Sequence, residues 1–538
     1  RKGVSFLSRI LAPNKSKNRS DLAIDEDDDE TADFRPEGMD AQLFSHSADN
    51  VGFSPRHPQP PGYIKFRAKF KKDRDFDRVF LAQELRKGRI RPKSAVDSAK
   101  SGLGRIKSDA DSGTDAIWAL EFSKDGKYLA AAGQDKIVRV WGVLSSREER
   151  RMHEKDEEAA NGNTDGNAAQ HLSAPVFRRN PLREYEGHTS TVIDISWSKN
   201  NFLLSSSFDK TVRLWHVSRN ECLVTFKHAE YCPSIQFHPR DDRFFLAGSL
   251  DTKLRLWSIP DKSVAYWNQL TEIITAVAFT PDGKTAIAGT MGGTCSFYDT
   301  DGLKFKTQIN IKSSGRNAKP AKITSIQATN WGDDRRDVKL LISSNDSRIR
   351  LYNFRDKSLE MKFKGHKNMA SQIRASFSDD SRFVISGSED RKTYIWSTGA
   401  TQEGEKQRPM EVFEAHNTMT TGAILAPRKT RMVLSASEDP VFDLCNPPPV
   451  TLISRSESIR TGSNASGPAP SGEPPDRNGD SSVQPTPATA EGNGTFKRAE
   501  ESPAYLARTA HMGGNIIVTA DYAGNIKVFR QDCAYGKR

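Results

Sequence analysis

Within 28 residues of this chain stand His188, Ser205, Ser207, Asp209 and Trp215. A serine, a histidine and a carboxylate in one neighbourhood are the parts of an acyl-transfer site. Such a site also needs an exposed nucleophile and an oxyanion hole, and no G-x-S-x-G run supplies them. Nor is there a phosphate-cradling G-x-x-x-x-G-K-[ST] or an H-E-x-x-H. The five cysteines (Cys222, Cys232, Cys295, Cys445 and Cys533) are odd in number, with no C-x-x-C pair. They are too sparse for a disulfide framework and form no cluster with the four Cys/His ligands of a zinc site. A reducing, cytosolic setting, no cofactor and no small-molecule substrate are the expectations.

The second chemistry is cationic. The 538 residues carry a net charge of +11 and a pI near 9.2, which invites a nucleic-acid reading. The charge is local: residues 61–107 hold 15 Lys+Arg against 5 Asp+Glu, a net of +10, so the rest of the chain carries +1. In YIKFRAKFKKDRDF (63–76), Lys65, Arg67, Lys69, Lys71, Lys72 and Arg74 interleave with aromatic residues. The segment reads as a solvated linker strand, or as an arm for an acidic protein surface or anionic membrane. Base stacking is the third reading, without a nucleic-acid-binding module around it. Ser94 and Ser108 each follow an arginine by three residues (Arg91, Arg105). As candidate phosphosites they would add about −1.5 to −2 charges each and erode the arm. Near the start, KGVSFLSRILAPNKSK (2–17) has apolar residues at helical spacing, fitting an interfacial helix, a groove ligand or a disordered tail. DEDDDE (25–30) follows it. No window approaches 18 consecutive apolar residues, and Arg1 in place of Met suggests a fragment.

What must position the Ser/His/Asp group is a repeat. A small-residue run, an Asp and a strand ending in an aromatic recur in AAGQDKIVRVW, SSSFDKTVRLW, AGSLDTKLRLW, SSNDSRIRLY and SGSEDRKTYIW. The Asp precedes the aromatic by six residues each time: Asp135/Trp141, Asp209/Trp215, Asp251/Trp257, Asp346/Tyr352 and Asp390/Trp396. Two weaker copies, ending at Tyr298 and Phe529, have Gly292 and Ala523 where the Asp should be. Strand-like runs ending in turn residues precede each copy, and histidines stand before several: His188, His228, His366 and His416.

Seven such units closely resemble the WD-repeat β-propeller family, at about 40–45 residues and four strands per blade. The resemblance covers residues 115–531. It implies an all-β, seven-bladed propeller in which His, turn Asp, strand Ser/Thr and aromatic form buried hydrogen-bonded sets. Those sets are His188, Asp209 and Trp215, with Asp135, Trp141, Asp251, Trp257, His366, Asp390 and Trp396 in other blades. Each bond contributes about 1 kcal/mol net, so these residues read as structural and not catalytic.

Successive aromatics are separated by 74, 42, 41, 54, 44 and 133 residues, which locates long low-complexity insertions at about 146–180 and 428–512. The second is expected to be a solvated loop, with SASED and PVFDL as a short extra strand. The chain therefore divides into a mostly disordered tail (1–62), a basic arm (63–110) and the propeller (111–531). Phe529 lies too near the chain end for a full outer strand in blade seven. RVFLAQELR (78–86) is the candidate closing strand, with Val79, Leu81, Gln83 and Leu85 on one face; a short helix is the rival.

LSSSFDKTVRLWHVSRNECL (204–223), FHPRDDRFFLAGSLDTKLRLWSIPDKSVAYWN (237–268), SSNDSRIRLYNFRD (343–356) and EAHNTMTTGAILAP (414–427) carry a sharper resemblance. They look like the rabphilin-like, Rab-binding WD-repeat proteins of recycling endosomes and their fungal relatives, which include a protein associated with 2-deoxyglucose resistance. That implies a non-catalytic scaffold, a small (Rab-type) GTPase as partner, and a cytoplasmic location peripheral to endosomal or Golgi membranes. In the animal branch the GTPase contact is attributed to sequence preceding or adjoining the propeller, where the resemblance is weaker. The alternative is a nucleic-acid-associated propeller using residues 61–107.

Overall fold

The computed structural model describes residues 61–71, 74–85, 115–161, 172–311, 320–332, 334–399, 408–445 and 513–534. Ser94, Ser108, Lys72 and the segments at 2–17 and 25–30 lie outside them. Strands dominate and arrange as seven antiparallel sheets, each ordered from an inner to an outer strand. Blade two is representative: Val192–Trp197, Phe202–Ser207, Thr211–His216 and Val224–Lys227, paired in sequence order. Tight turns with positive φ at Lys136, Lys210, Thr252 and Arg391 join the second and third strands. Middle strands are buried on both faces, as in Phe202–Ser207 and Thr285–Thr290, because each blade is sandwiched between its neighbours.

The ring closes as the sequence suggests, through a strand and not a helix. Val79–Leu85 pairs antiparallel with Ile526–Gln531, supplying the outer strand of blade seven. The expected face does not survive intact. A register shift between Leu81 and Gln83 changes the alternation, so Val79 and Leu85 are buried while Leu81 is 41% exposed. A bulge re-aims side chains. It frees Phe80 to pack with Leu172, Ala174 and Val441, and turns the Gln83 amide toward the backbone of Val176 and Phe177.

The arm also differs from a free linker. Arg67–Lys69 pairs with Met410–Glu414 as a fifth strand on blade six. Two of the aromatics that suggested base stacking are in the core, while Phe70 is exposed: Phe66 stacks on Phe413 at 4.4 Å, and Phe76 meets Phe383 edge-on at 4.9 Å.

The insertions fold where they adjoin the propeller. Helix α1 (Arg147–Asn161) lies in the first; α2 (Arg428–Ser435) and α3 (Pro440–Cys445) lie in the second. SASED and PVFDL therefore form the end of α2, a turn and α3, not an extra strand. RKTRMVL is rich in residues that lose little rotamer freedom in a helix, and Leu434 gives α2 a buried contact. The two insertions meet: Arg150 of α1 donates to Ser437 Oγ (2.9 Å) and Asp439 Oδ1 (3.2 Å). Arg530 binds the same carboxylate at 2.6 and 2.7 Å.

Phe76→Ala is expected to cost about 3–5 kcal/mol, read as a lowered urea midpoint. Truncation through residue 85 is expected to lower the thermal midpoint further, because it also opens the edge at Ile526–Gln531.

Candidate interaction face

The turn between the second and third strands is where each blade holds its carboxylate. In blade two, His188 Nδ1 donates to Asp209 Oδ2 at 2.8 Å. Its Nε2 lies 2.7 Å from Ser205 Oγ, which also accepts the Trp215 indole N–H at 2.8 Å. Asp209 further accepts from Thr189 N and Thr211 Oγ1. Burial raises the Asp209 carboxyl, but the His188 and Thr211 hydrogen bonds outweigh it and hold the group below the usual carboxylate range. Ser, His and Asp are thus aligned as in a hydrolase. Ser205 is fully buried and its oxygen is occupied by an indole, so no substrate carbonyl can reach it.

The other blades solve the same problem with different partners. Asp135, Asp251 and Asp346 pair with Arg139, Arg255 and Arg350, the residue two before each aromatic. Asp390 accepts from Tyr394 Oη at 2.6 Å, while Trp396 Nε1 donates to the Lys364 carbonyl. Trp141 and Trp257 find no partner for their indole N–H. His228 and His366 consequently have no carboxylate bond. Burial, with Arg255 beside His228 and Arg348 beside His366, pushes both imidazoles down to about 4.

Blades four and seven have Gly292 and Ala523 at the Asp position, yet both hold an acid at this turn. In blade four Glu272 reaches in from the preceding loop and accepts from Thr290 Oγ1 (2.5 Å) and Gly292 N (3.1 Å). Gly292 is the space it fills: a Cβ there would stand 2.2 Å from the Glu272 carboxylate. In blade seven Asp521, two residues before Ala523, lies 3.3 Å from His416 Nδ1, and His416 Nε2 is 2.7 Å from Thr519 Oγ1. Each signal was in the sequence as a nearby carboxylate displaced from the repeat position.

These anchored turns present the residue before the repeat's Asp position (Gly292 in blade four, Ala523 in blade seven) to the mouth of the central channel. Phe208, Leu250, Met291 and Tyr522 arrive this way. They join Trp118, Tyr231, Lys322 and Met419 around a cavity of about 720 Å³. Phe208 meets Tyr231 edge-on at 4.7 Å, and Trp118 meets Tyr522 at 5.9 Å. Phe208 and Met291 are 45% and 48% exposed. Desolvation lowers the Lys322 ammonium. An open apolar mouth with a few polar groups is the usual form of a recognition site, and it is the site the repeat pattern did not reveal.

Below the mouth the channel is barred. Arg374 of blade six bonds Asp194 of blade two, with further bonds to the Ile193 and Pro233 carbonyls at 3.2 and 3.3 Å. Gln372 donates to the Thr275 and Thr324 carbonyls of blades four and five. A second cavity of about 220 Å³ is lined by Asp194 and Arg374 together with residues of the inner strands. Burial pushes the Asp194 carboxyl upward against the neighbouring guanidinium.

The basic arm is partly spent. Lys71 and the Asp75 and Phe76 amides all converge on the buried carboxylate of Glu411. Lys65, Arg67, Lys69 and Arg74 remain exposed. Among the described residues no His/Cys/Asp/Glu group could hold a metal, and no helix is long and apolar enough to cross a membrane.

Two outcomes are expected. His228 and His366 titrate near 6.5 when unfolded and near 4 when folded. Stability is therefore full above pH 6.5 and falls as pH drops from 6.5 towards 4, by on the order of 3 kcal/mol per group. Urea midpoints across this range should show the loss, flattened in His366→Gln. Arg374→Met should cost about 2–4 kcal/mol, under the fully buried case because Arg374 is 28% exposed. Adding Asp194→Asn should restore most of it, measured by a double-mutant cycle.

Comparison with known proteins agrees with the geometry. Residues 108–142, 179–216, 220–258, 265–299 and 357–397 match the WD40 family, described as WD domain, G-beta repeat. The chain is 46% identical over 351 residues to WD repeat-containing protein 44 of Xenopus laevis, covering 59% of this chain and 38% of that protein. It is 34% identical over 334 residues to an uncharacterized WD repeat-containing protein of Schizosaccharomyces pombe, covering 60% and 56%. It is 31% identical over 389 residues to 2-deoxy-glucose resistant protein 2 of Saccharomyces cerevisiae, covering 63% and 45%. The chain thus spans less than two thirds of the length of each of these relatives. With seven closed blades, repeat-by-repeat carboxylate anchors and these matches, the chain folds as a seven-bladed β-propeller carrying WD-type repeats.

Proposed function

We propose that this propeller is a non-catalytic protein-interaction scaffold that serves as an adaptor for a small, Rab-type GTPase in membrane traffic. The observation that carries the scaffold reading is the apolar mouth. Four blades set Phe208, Leu250, Met291 and Tyr522 at one rim, on turns anchored by hydrogen-bonded carboxylates. WD propellers generally bind proteins in this non-catalytic way. The GTPase reading is supported by the likeness of residues 204–223, 237–268, 343–356 and 414–427 to the Rab-binding branch of the family. Exposed Lys65, Arg67, Lys69 and Arg74 on the arm add affinity for an anionic surface, consistent with peripheral attachment to endosomal or Golgi membranes from the cytoplasm.

The test is retention of purified Rab-type GTPases, loaded with a GTP analogue or with GDP, on the immobilised chain. Selective retention of the GTP form is expected, weakened about tenfold by Phe208→Asp or Met291→Asp without a change in thermal midpoint. Equal retention of both forms, or none, overturns the GTPase reading. A chain beginning at residue 61 reports whether the preceding sequence contributes. Deletion through residue 110 does not, because it removes the closing strand.

A further inference from the structure

Each blade's outer strand turns a row of backbone N–H and C=O groups toward solvent, an invitation to further pairing that proteins usually block with charge or a cover. Among the described residues, the outer strands of blades one, two, four, five and seven carry charged side chains, Lys227, Lys304 and Glu84 among them. Blade six is covered by Arg67–Lys69. Blade three has neither protection. Its outer strand, Ser263–Gln269, reads SVAYWNQ, seven residues without a charge. Tyr266 and Trp267 on it are 44% and 56% exposed.

The hydrogen-bond phase shows which groups are offered. Leu270 N donates to the Thr252 carbonyl at 2.9 Å, which makes Thr252 and Leu270 a hydrogen-bonded pair. Asn268 pairs with Leu254 and Tyr266 with Leu256, so by alternation these also bond inward. The N–H and C=O groups of Trp267 and Gln269 then point away from the sheet.

We propose that this edge receives an extended segment of a protein partner as a fifth strand, apolar at its centre and acidic at its flanks. The mode is already used in this molecule, where blade six accepts an extended segment on its outer strand. The surroundings set the charge. Lys262 is exposed at the start of the strand, where the adjacent Asp261 carboxylate turns back to accept from Ser258 Oγ at 2.6 Å. Lys253, opposite Gln269 near its end, holds its ammonium 4.7 Å from the centre of the Trp267 ring. A neutral strand between two lysines suits carboxylates at the ends of an apolar run. A second copy of this chain fits less well. Antiparallel pairing about Tyr266 would set Ser263 against Gln269, bringing Lys262 of each copy toward Lys253 of the other. The proposal depends neither on the channel mouth nor on the GTPase reading.

The test uses the full chain and a fluorescein-labelled peptide of alternating valine and threonine flanked by aspartates, followed by fluorescence anisotropy. Saturable binding is expected, about tenfold weaker for Trp267→Ala and for the same peptide with lysine flanks. Methylating alternate peptide amides should abolish it, a readout that does not depend on how any variant folds. Phe208→Asp, at the mouth, should leave it unchanged. No saturable binding, binding indifferent to amide methylation and to Trp267→Ala, or loss on Phe208→Asp would each overturn the proposal. So would concentration-dependent dimerisation that Trp267→Ala abolishes, which would give the edge to a second copy.

Discussion

A ring of sheets is stable only if its ends meet, and here they meet through one antiparallel strand pair. Val79–Leu85 and Ile526–Gln531 are about 440 residues apart in sequence, so the pairing recovers no local chain entropy and must be held by what surrounds it. The structure concentrates reinforcement there. Tyr63 Oη donates to Asp532 at 2.7 Å, and the Gln83 amide bonds to Val176 and Phe177. Phe80 packs beneath both insertions. The Arg150–Asp439–Arg530 cluster ties the first insertion, the second insertion and the last strand together. Burial alone would raise the Asp439 carboxyl, but Arg530 and Arg150 outweigh it and keep it low. Both insertions enter blades one and seven, on either side of the seam. Their positions make sense as reinforcement of the one join that lacks a covalent connection.

The same economy governs the blades. Every blade holds one carboxylate at its second turn, but only blade two assembles the full His–Asp–Ser–Trp set. Once a turn carries an acid, any donor within reach can satisfy it: an imidazole in blade two, a guanidinium in one, three and five, a phenol in six, and a hydroxyl with amides in four and seven. What is constrained is the position of the turn, because the turn sets the height of the residue facing the channel. That freedom of partner and fixity of place explain how Phe208, Leu250, Met291 and Tyr522 come to one rim from blades with different internal chemistry.

The period, the seven aromatics and the closing strand were legible in the sequence because each repeats or is demanded by a count. The rest was not, for identifiable reasons. Glu272 and Asp521 sit off the repeat position, and only three-dimensional proximity shows that they replace the missing Asp. The bulge after Leu81 shifts a face by one residue without altering composition. The insertion helices are poor in apolar residues, so their composition reads as solvated chain and not as packed elements. The mouth escaped notice because the residue before each Asp is free to vary by blade. As for the Ser/His/Asp grouping, its alignment was legible but its burial beneath Trp215 was not.

The arm shows how charge and edge protection are joined. In composition it is a basic segment on a nearly neutral protein. In structure one lysine is neutralised by Glu411, two phenylalanines are core, and Arg67 and Lys69 lie on a strand that covers blade six. Lysine on an edge strand discourages further pairing because extending the sheet would desolvate it. The cations that suggested a ligand for nucleic acid thus also end the sheet. By the same logic, an outer strand with no charge and two exposed aromatics, such as Ser263–Gln269, is an edge the fold has left open. In a protein that guards its other six, that difference marks the place where a partner strand costs least to add.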